Sequence, residues 1–273
     1  MADTFLEPAK RETKVTTEPG VKRPRGARDR TRGSSPGRRA VTGGLCVLVL
    51  AVSACGSSST GAAANQPKPS KAADLALAKK SLVVLSDLPS GWTASGKVTS
   101  GSGSTGGEPL AKIAACLGVT TAQLNINFPT ENSPTFNNPG GSSTVSDQVE
   151  TFPSPARAGT DFSNFSNPKT PGCITTVFGP LLRQEVQKGG GAGTTIGAVT
   201  TTRQTFPAFG DQSGEMQIQA PFSTAGVSTS LYVDLVDIIK GRLETTLSFT
   251  TAGSAFDQTE AQKLAAAAFR HLS

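Results

Sequence analysis

Apolar and polar residues alternate in three segments of the C-terminal third of the chain. These segments are residues 215–222, 227–235 and 242–249. Their apolar positions are Met216, Ile218, Ala220, Phe222, Val227, Leu231, Val233, Leu235, Leu243, Leu247 and Phe249. Because successive side chains of a strand point to opposite faces, this alternation predicts an antiparallel sheet with one face on a core. The sequence IKGR at 239–242 predicts a hairpin turn between the last two strands.

Helical spacing of apolar residues occurs before and after these strands. The N-terminal set is Leu75, Ala78, Leu82 and Leu85, and the C-terminal set is Ala261, Leu264, Ala265, Ala268, Phe269 and Leu272. Asp257 and Glu260 have capping-box spacing ahead of the C-terminal set. Residues 108–118 and 171–186 predict two further helices, the second with a break or kink at Gly179–Pro180.

The segment between the predicted helices contains one strand and one long loop. Residues 143–152 predict a strand, and residues 125–141 are rich in Asn, Pro, Thr and Gly, as is typical of a loop. Taken with the C-terminal strands, the pattern predicts an α+β domain. We expect a curved antiparallel sheet with helices packed on one face.

The charge of the chain is concentrated in its first 39 residues. Residues 1–39 hold eleven Lys or Arg against five Asp or Glu, which accounts for the whole formal net charge of +6. Residues 40–273 carry fifteen charges of each sign. Nucleic-acid binding draws most of its affinity from basic residues on a folded face. The balanced charge after residue 39 therefore argues against a nucleic-acid partner.

The uncharged stretch at residues 40–54 predicts an export signal. Its 15 residues are too few for a membrane span, which needs about 20, but fit a signal core. The stretch ends in Val52-Ser53-Ala54 before Cys55, which resembles the lipobox of bacterial lipoproteins. That resemblance implies diacylglycerol on the Cys55 thiol and cleavage before it. The alternatives are an ordinary secretory signal or a short buried helix.

Four segments follow from these features. We predict a basic disordered leader at 1–39, a signal segment at 40–54, a lipid-attached flexible tether at 55–71 and one extracytoplasmic domain at 72–273. The tether is small, polar and Pro-containing, so it should separate the domain from the membrane surface. The predicted location is the outer face of the cell membrane.

Cysteine positions predict one disulfide bond. Cys46 lies in the predicted signal and Cys55 carries the predicted lipid, which leaves Cys116 and Cys173 in an exported chain. A metal site would need further Cys or His residues, and these are lacking. We therefore expect Cys116 and Cys173 to be bonded to each other.

Several short motifs together resemble a known family. They are LVVLSDLPSGW, ACLGV, VETFPSPARAGTDF, Gly172-Cys173, FGDQSG and the final strand-turn-strand-helix, in that order. In this order they resemble the actinobacterial extracytoplasmic sensor-like lipoproteins, including the sensor domain of a mycobacterial serine/threonine kinase. A second similarity is to lipoproteins of the Mog1/PsbP-like fold. Both resemblances imply an α+β fold with a concave face, and neither supplies an active-site residue.

Candidate catalytic residues are scarce in this sequence. The only histidine, His271, falls at the end of the last predicted helix, where a cation complements the helix dipole. Gly210–Gly214 places its serine one position too late for a nucleophile elbow, and the glycine cluster at 189–198 lacks dinucleotide-loop spacing. We expect no catalytic residue, no cofactor and no metal.

Carboxylates three apart in the predicted strands do not form local pairs. Asp147 and Glu150, like Asp234 and Asp237, should point to opposite faces. A pair formed between distant segments stays open at this stage.

Three functional hypotheses follow. The first is an anchored sensor or binding module that presents a groove to a small molecule, lipid or envelope protein. The alternatives are a carrier of lipid or glycolipid, which needs a cavity for acyl chains, and a hydrolase built on converging carboxylates. Trp92 and Tyr232 are the only Trp and Tyr among many Phe, a set typical of a hydrophobic core.

Overall fold

The computed structural model describes residues 70–102, 107–124, 128–189 and 193–273. The predicted leader (1–39), the signal segment (40–54) and nearly all of the tether (55–71), including Cys55, lie outside the described residues. None of the helices in these ranges combines the length and apolar composition that a membrane span requires.

The described part of the chain contains six α-helices, one short 3-10 helix (Leu85–Asp87) and ten strands. The helices are α1 (Lys71–Lys80), α2 (Gly107–Leu117), α3 (Thr121–Leu124), α4 (Pro155–Phe165), α5 (Thr170–Gly189) and α6 (Gln258–His271). The strands are β1 (Thr93–Ser95), β2 (Thr99–Ser102), β3 (Pro129–Asn132), β4 (Thr135–Asn137), β5 (Ser143–Thr151), β6 (Thr194–Ile196), β7 (Thr200–Gln204), β8 (Gln212–Thr224), β9 (Val227–Lys240) and β10 (Leu243–Ala252).

All ten strands belong to one sheet. Its order is β1-β4-β5-β10-β9-β8-β6, with β3 on β5, β2 on β3 and β7 on β8. Every strand pair is antiparallel. The prediction of an α+β fold with one curved antiparallel sheet is therefore confirmed. The predicted loop at 125–141 contains the short strands β3 and β4, which have too few residues to show an alternating pattern.

Helices pack on both faces of the sheet, whereas the sequence pattern predicted one. The α6 face carries Val149, Val236 and Leu247, which pack with α1 and α6. The α4 face carries Met216 and Leu235, which pack with α4 and α5. Because residues 233–239 of β9 are all buried, both faces of this strand are covered. The sequence pattern did not indicate the second covered face, because Asp234 and Asp237 are charged residues of the kind that usually face solvent.

The predicted disulfide joins two helices. Cys116 of α2 and Cys173 of α5 are bonded with Cα atoms 5.7 Å apart. Leu110, Ile113 and Val177 form the apolar cluster around the bond. Helix α5 continues through Gly179 and Pro180, where the sequence predicted a break or kink. The bond and its cluster therefore fix α2 against the long helix.

Candidate functional site

Strand alternation distributes the carboxylates of the sheet between its two faces. Asp147 and Asp234 lie on the α6 face, whereas Glu150 and Asp237 lie on the α4 face. Residues three apart thus point away from each other, as the sequence predicted. Strand β10 contributes Glu244, which lies directly opposite Glu150 in the β5–β10 register. The register therefore supplies the distant carboxylate pair that the sequence left open.

Four carboxylates meet under helix α4. Asp161 of α4 joins Glu150, Asp237 and Glu244, and none of the four residues is more than 5% exposed. Burial, followed by the charges of the other three carboxylates, raises the pKa of Glu244 well above its ordinary value. Burial also raises the pKa of Asp237, which is hydrogen-bonded to Glu244, and raises the pKa of Glu150 to about 7. A hydrogen bond between two carboxyl groups needs a proton on one of them. The cluster therefore holds protons near neutral pH.

Two neutral side chains donate hydrogen bonds to this carboxylate cluster. Gln148 Nε2 donates to Glu150 Oε1 over 2.7 Å, and Thr246 Oγ1 donates to Asp237 Oδ1 over 3.4 Å. Among the described residues, no group of three or more His, Cys, Asp or Glu has a geometry that could hold a metal ion. A substrate would have to displace α4 to reach these oxygens. The arrangement binds protons but does not form an open active site.

Acidic groups on the α6 face fasten neighbouring segments to the sheet. Asp147 Oδ2 accepts from Val83 N over 2.8 Å, and Asp147 Oδ1 accepts from Thr245 Oγ1 over 2.6 Å. Burial raises the pKa of Asp147 to about 6 despite these two hydrogen bonds. His271 Nε2 lies 3.0 Å from Asp87 Oδ2 and so joins the end of α6 to the segment after α1. These contacts give the only histidine of the chain a structural role.

The FGDQSG motif also has a structural role. Asp211 N donates to Ile239 O over 2.8 Å, and Asp211 Oδ2 accepts from Gly241 N over 2.7 Å. Ser213 Oγ accepts from Phe209 N and donates to Pro207 O. The motif therefore fixes the loop before β8 against the β9–β10 hairpin, and its serine is engaged within that loop.

A groove beside the start of α6 is an accessible candidate site. We call it the Trp92 groove, and its volume is about 340 Å³. It is lined by Trp92, Asn138, Pro139, Ser142, Ser143, Thr251, Ala252, Ser254, Ala255, Phe256, Asp257 and Glu260. These residues come from the segment before β1, the β4–β5 turn, the end of β10 and the connection to α6.

Local chemistry explains how the aromatic wall of the groove is built. Gly91 adopts φ +90°, and a Cβ at this position would lie 3.0 Å from Pro139 Cγ. Glycine therefore lets Trp92 approach the β4–β5 turn. The Trp92 ring contacts Phe256 edge to face at a centroid distance of 6.4 Å, and Phe256 packs on Phe249 at 4.6 Å. The wall is thus continuous with the core on the α6 face.

Hydrogen bonds hold the polar walls of the groove. Asn138 Oδ1 accepts from Ser143 N over 3.1 Å, and Asn138 Nδ2 donates to Ser142 Oγ over 3.3 Å. On the opposite wall, Thr251 Oγ1 donates to Ser254 O over 2.6 Å. Asp257 caps α6 by accepting from Glu260 N over 2.8 Å. The walls are therefore fixed by the chain itself.

The charges in the groove are negative. Asp257 and Glu260 are its two ionisable lining residues, and the described lining includes neither Lys nor Arg. Partial burial, and next the charge of Asp257, raise the pKa of Glu260, while Lys263 acts in the opposite direction. The groove can accept hydrogen bonds from a ligand but offers no cation to an anionic one.

The residues predicted from sequence and the residues of the groove are different sets. Cys116 and Cys173 form a structural bond away from the groove, and Cys55 lies outside the described residues. The sequence marked Trp92 only as a rare aromatic residue. Its position after Pro-Ser-Gly was the one local signal of an aromatic residue held at a turn.

Comparison with known proteins finds structural neighbours at low similarity. No protein-family model and no curated protein matches the sequence. The extracellular domain of PknH from Mycobacterium tuberculosis matches at 13% identity and TM-score 0.37, covering 76% of this chain and 100% of that one. An uncharacterised protein from Mycobacterium smegmatis matches at 11% identity and TM-score 0.36, covering 76% and 98%.

A third solved structure is LpqN of M. tuberculosis, described as involved in cell envelope biogenesis. It matches at 12% identity and TM-score 0.21, covering 66% of this chain and 75% of that one. The resemblance to actinobacterial sensor-like lipoproteins drawn from the motifs agrees with these matches. At these similarities the matches assign neither an activity nor a site residue to this chain.

Proposed function

We propose that this chain is a membrane-anchored extracytoplasmic binding module, of the sensor type, whose ligand occupies the Trp92 groove. The groove itself is the observation that carries the proposal. Its volume of about 340 Å³ lies at the small end of the range for ligand pockets. An aromatic wall combined with convergent polar groups is the usual composition of such pockets.

The anchoring part of the proposal rests on the sequence around Cys55. An uncharged segment, the sequence VSAC and a Gly-Ser spacer follow one another without interruption. Two acyl chains suffice for stable anchoring, whereas a single chain binds only marginally. Diacylglycerol on Cys55 supplies two chains, and the tether then lets the groove face the envelope space.

Binding is favoured over catalysis by what the structure makes accessible. The four carboxylates under α4 converge, as a hydrolase would require, but each is buried and held by the protein. The Trp92 groove is open but offers neither histidine nor thiol among its described lining residues. Its polar lining also does not suit the acyl chains of a lipid carrier. We therefore propose no catalytic residue.

Native mass spectrometry of the full chain purified from its producing cells tests this proposal. We expect a non-covalently bound small molecule on the wild type and its loss from Ala255→Phe. Ala255 is an exposed lining residue, so a larger side chain there fills the groove without disturbing the core. Val227→Ala, at a position 70% exposed outside the groove, is the matched control. Equal retention by Ala255→Phe, or a wild type without any bound molecule, would contradict the proposal.

A further inference from the structure

We propose that the ligand of the Trp92 groove is a neutral polyhydroxyl compound, namely a saccharide of one or two rings. This inference rests on the proposed function, because it names the chemical class that the same groove accepts. It follows from the size of the groove, its single indole wall, its hydroxyl and amide groups and its charges.

Size limits the ligand first. A groove of about 340 Å³ can enclose one or two six-membered rings, but it cannot hold a peptide helix. An extended polysaccharide would place only a terminal unit or a short segment in it. The ligand is therefore a small compound or the end of a larger one.

The indole of Trp92 is the aromatic group with a polar edge in the lining of the groove. A pyranose ring has one face of C–H groups and an edge of hydroxyl groups, so it fits between an aromatic face and polar neighbours. Trp combines a large apolar face with a polar N–H, and therefore suits a ligand with both characters. Phe256 braces this wall from the core side, which reduces the freedom that Trp92 would lose on binding.

The groups around the indole match hydroxyl partners. The hydroxyls of Ser142, Ser143 and Ser254 can each donate and accept, and the amide of Asn138 does the same. The carboxylates of Asp257 and Glu260 accept from hydroxyl groups in charge-assisted bonds, which are roughly twice as strong as neutral ones. A ligand with several neutral hydroxyl groups can use most of this lining at once.

The charges of the groove argue against ionic ligands. Phosphate or carboxylate ligands would meet two carboxylates and no lining cation. A cationic ligand would be favoured if those carboxylates lacked partners, but both already serve helix α6. Asp257 caps its first turn, Glu260 lies in that turn near the positive end of the helix dipole, and Lys263 follows one turn later. Both carboxylates thus lie at the positive end of the α6 dipole, which offsets part of their charge, and the choline arm of the titration tests whether the remainder recruits a cation.

Intrinsic fluorescence tests this assignment, because Trp92 is the single Trp of the chain. The purified full chain is titrated with a panel of neutral mono- and disaccharides, with choline chloride as the cationic probe and inorganic phosphate as the anionic probe. We expect a saturable change in Trp92 emission with at least one neutral saccharide and none with phosphate. We also expect affinity to fall at least tenfold in Ala255→Phe and to stay unchanged in Val227→Ala.

The outcomes separate the ligand class from the binding function. A saturable response to choline alone, or to phosphate alone, overturns the saccharide assignment and leaves the groove as a binding site. Saccharide binding that Ala255→Phe does not weaken overturns it as well, because the ligand then lies elsewhere. No response to any probe overturns the saccharide assignment, while the proposed binding function is decided separately by the mass spectrum of Ala255→Phe. A circular-dichroism melt of Ala255→Phe confirms that this variant is folded.

Discussion

Asp237 and Glu244 are hydrogen-bonded to each other through their carboxyl groups beneath helix α4. They lie on the neighbouring strands β9 and β10, and Glu150 completes the row from β5 on the other side of Glu244. Two carboxylates in such a contact cannot both be ionised without strong repulsion. The domain is therefore built around a group of acids that is protonated in the folded state and ionised in the unfolded chain near neutral pH.

The first prediction is that the domain is more stable in mild acid than in mild base. The pKa of Glu150 is about 7 in the folded chain against an ordinary value of 4.5, and the pKa values of Asp237 and Glu244 are also raised. The folded state thus binds more protons than the unfolded state between about pH 4.5 and 7. The contribution of Glu150 to the free energy of unfolding is fully present below its ordinary pKa of 4.5. It is lost as the pH rises through the folded pKa of about 7. Urea unfolding at pH 5.5 and pH 8 should show a decrease of roughly 2 kcal/mol for Glu150 alone.

Glu244→Gln provides the matched test of this prediction. An amide cannot ionise, so the dependence of unfolding free energy on pH should become shallower and the variant should gain stability at pH 8. Glu108→Gln is the control, because Glu108 lies at the surface in an ion pair with Lys112 at 2.7 Å. A Glu244→Gln variant with the full pH dependence of the wild type would show that the cluster does not carry it.

The second prediction concerns Gly210 in the FGDQSG motif. Gly210 has φ +63°, and a Cβ there would lie 2.2 Å from Ile239 O. Gly210→Ala must therefore displace the backbone of β9, and we expect it to cost more than about 3 kcal/mol. Gly226→Ala has a similar φ of +82° with open space around it, so it should cost only about 1 kcal/mol. Chemical denaturation of both variants measures the difference, and equal costs would refute the steric explanation.

The third prediction concerns the bond between Cys116 and Cys173. Its two cysteines are separated by 57 residues. Closing a loop of that length stabilises the folded state by about 4 kcal/mol on the chain-entropy model. The Cys116→Ser/Cys173→Ser double variant should therefore unfold at lower denaturant concentration, which equilibrium unfolding measures. Free, alkylatable thiols in the natively folded wild type, detected by non-reducing peptide mapping, would contradict the bond itself.

The fourth prediction concerns Cys55. Cys55→Ala removes the thiol that would carry diacylglycerol, so we expect the chain to leave the membrane fraction or to remain an uncleaved precursor. Fractionation with immunoblotting and intact-mass measurement of the product distinguish these results. Cys46→Ala, which keeps the sequence VSAC, should remain mature and membrane-bound. A mature, membrane-bound Cys55→Ala protein would refute the lipid anchor.

The local sequence was sufficient to predict those helices and strands in which the pattern of apolar residues repeats several times. Strand alternation located β8, β9 and β10, helical spacing located α6, and Asp257 caps that helix as its spacing predicted. Two remaining cysteines in a predicted exported domain allowed one pairing, and the structure contains it. The spacing of apolar residues and the number of available cysteines are properties of the sequence, so they can be used before the fold is known.

Only the tertiary structure decided which polar residues meet. Glu150 and Glu244 are 94 positions apart in the sequence, and the register of β5 on β10 places them opposite each other. Trp92 and Asp257 are still further apart, and they line one groove because the β4–β5 turn and the end of β10 converge there. Strand alternation tells which face a side chain takes, but not which strand lies beside it or which helix covers it. Those choices depend on the packing of the whole sheet, and they created both the buried acids and the groove.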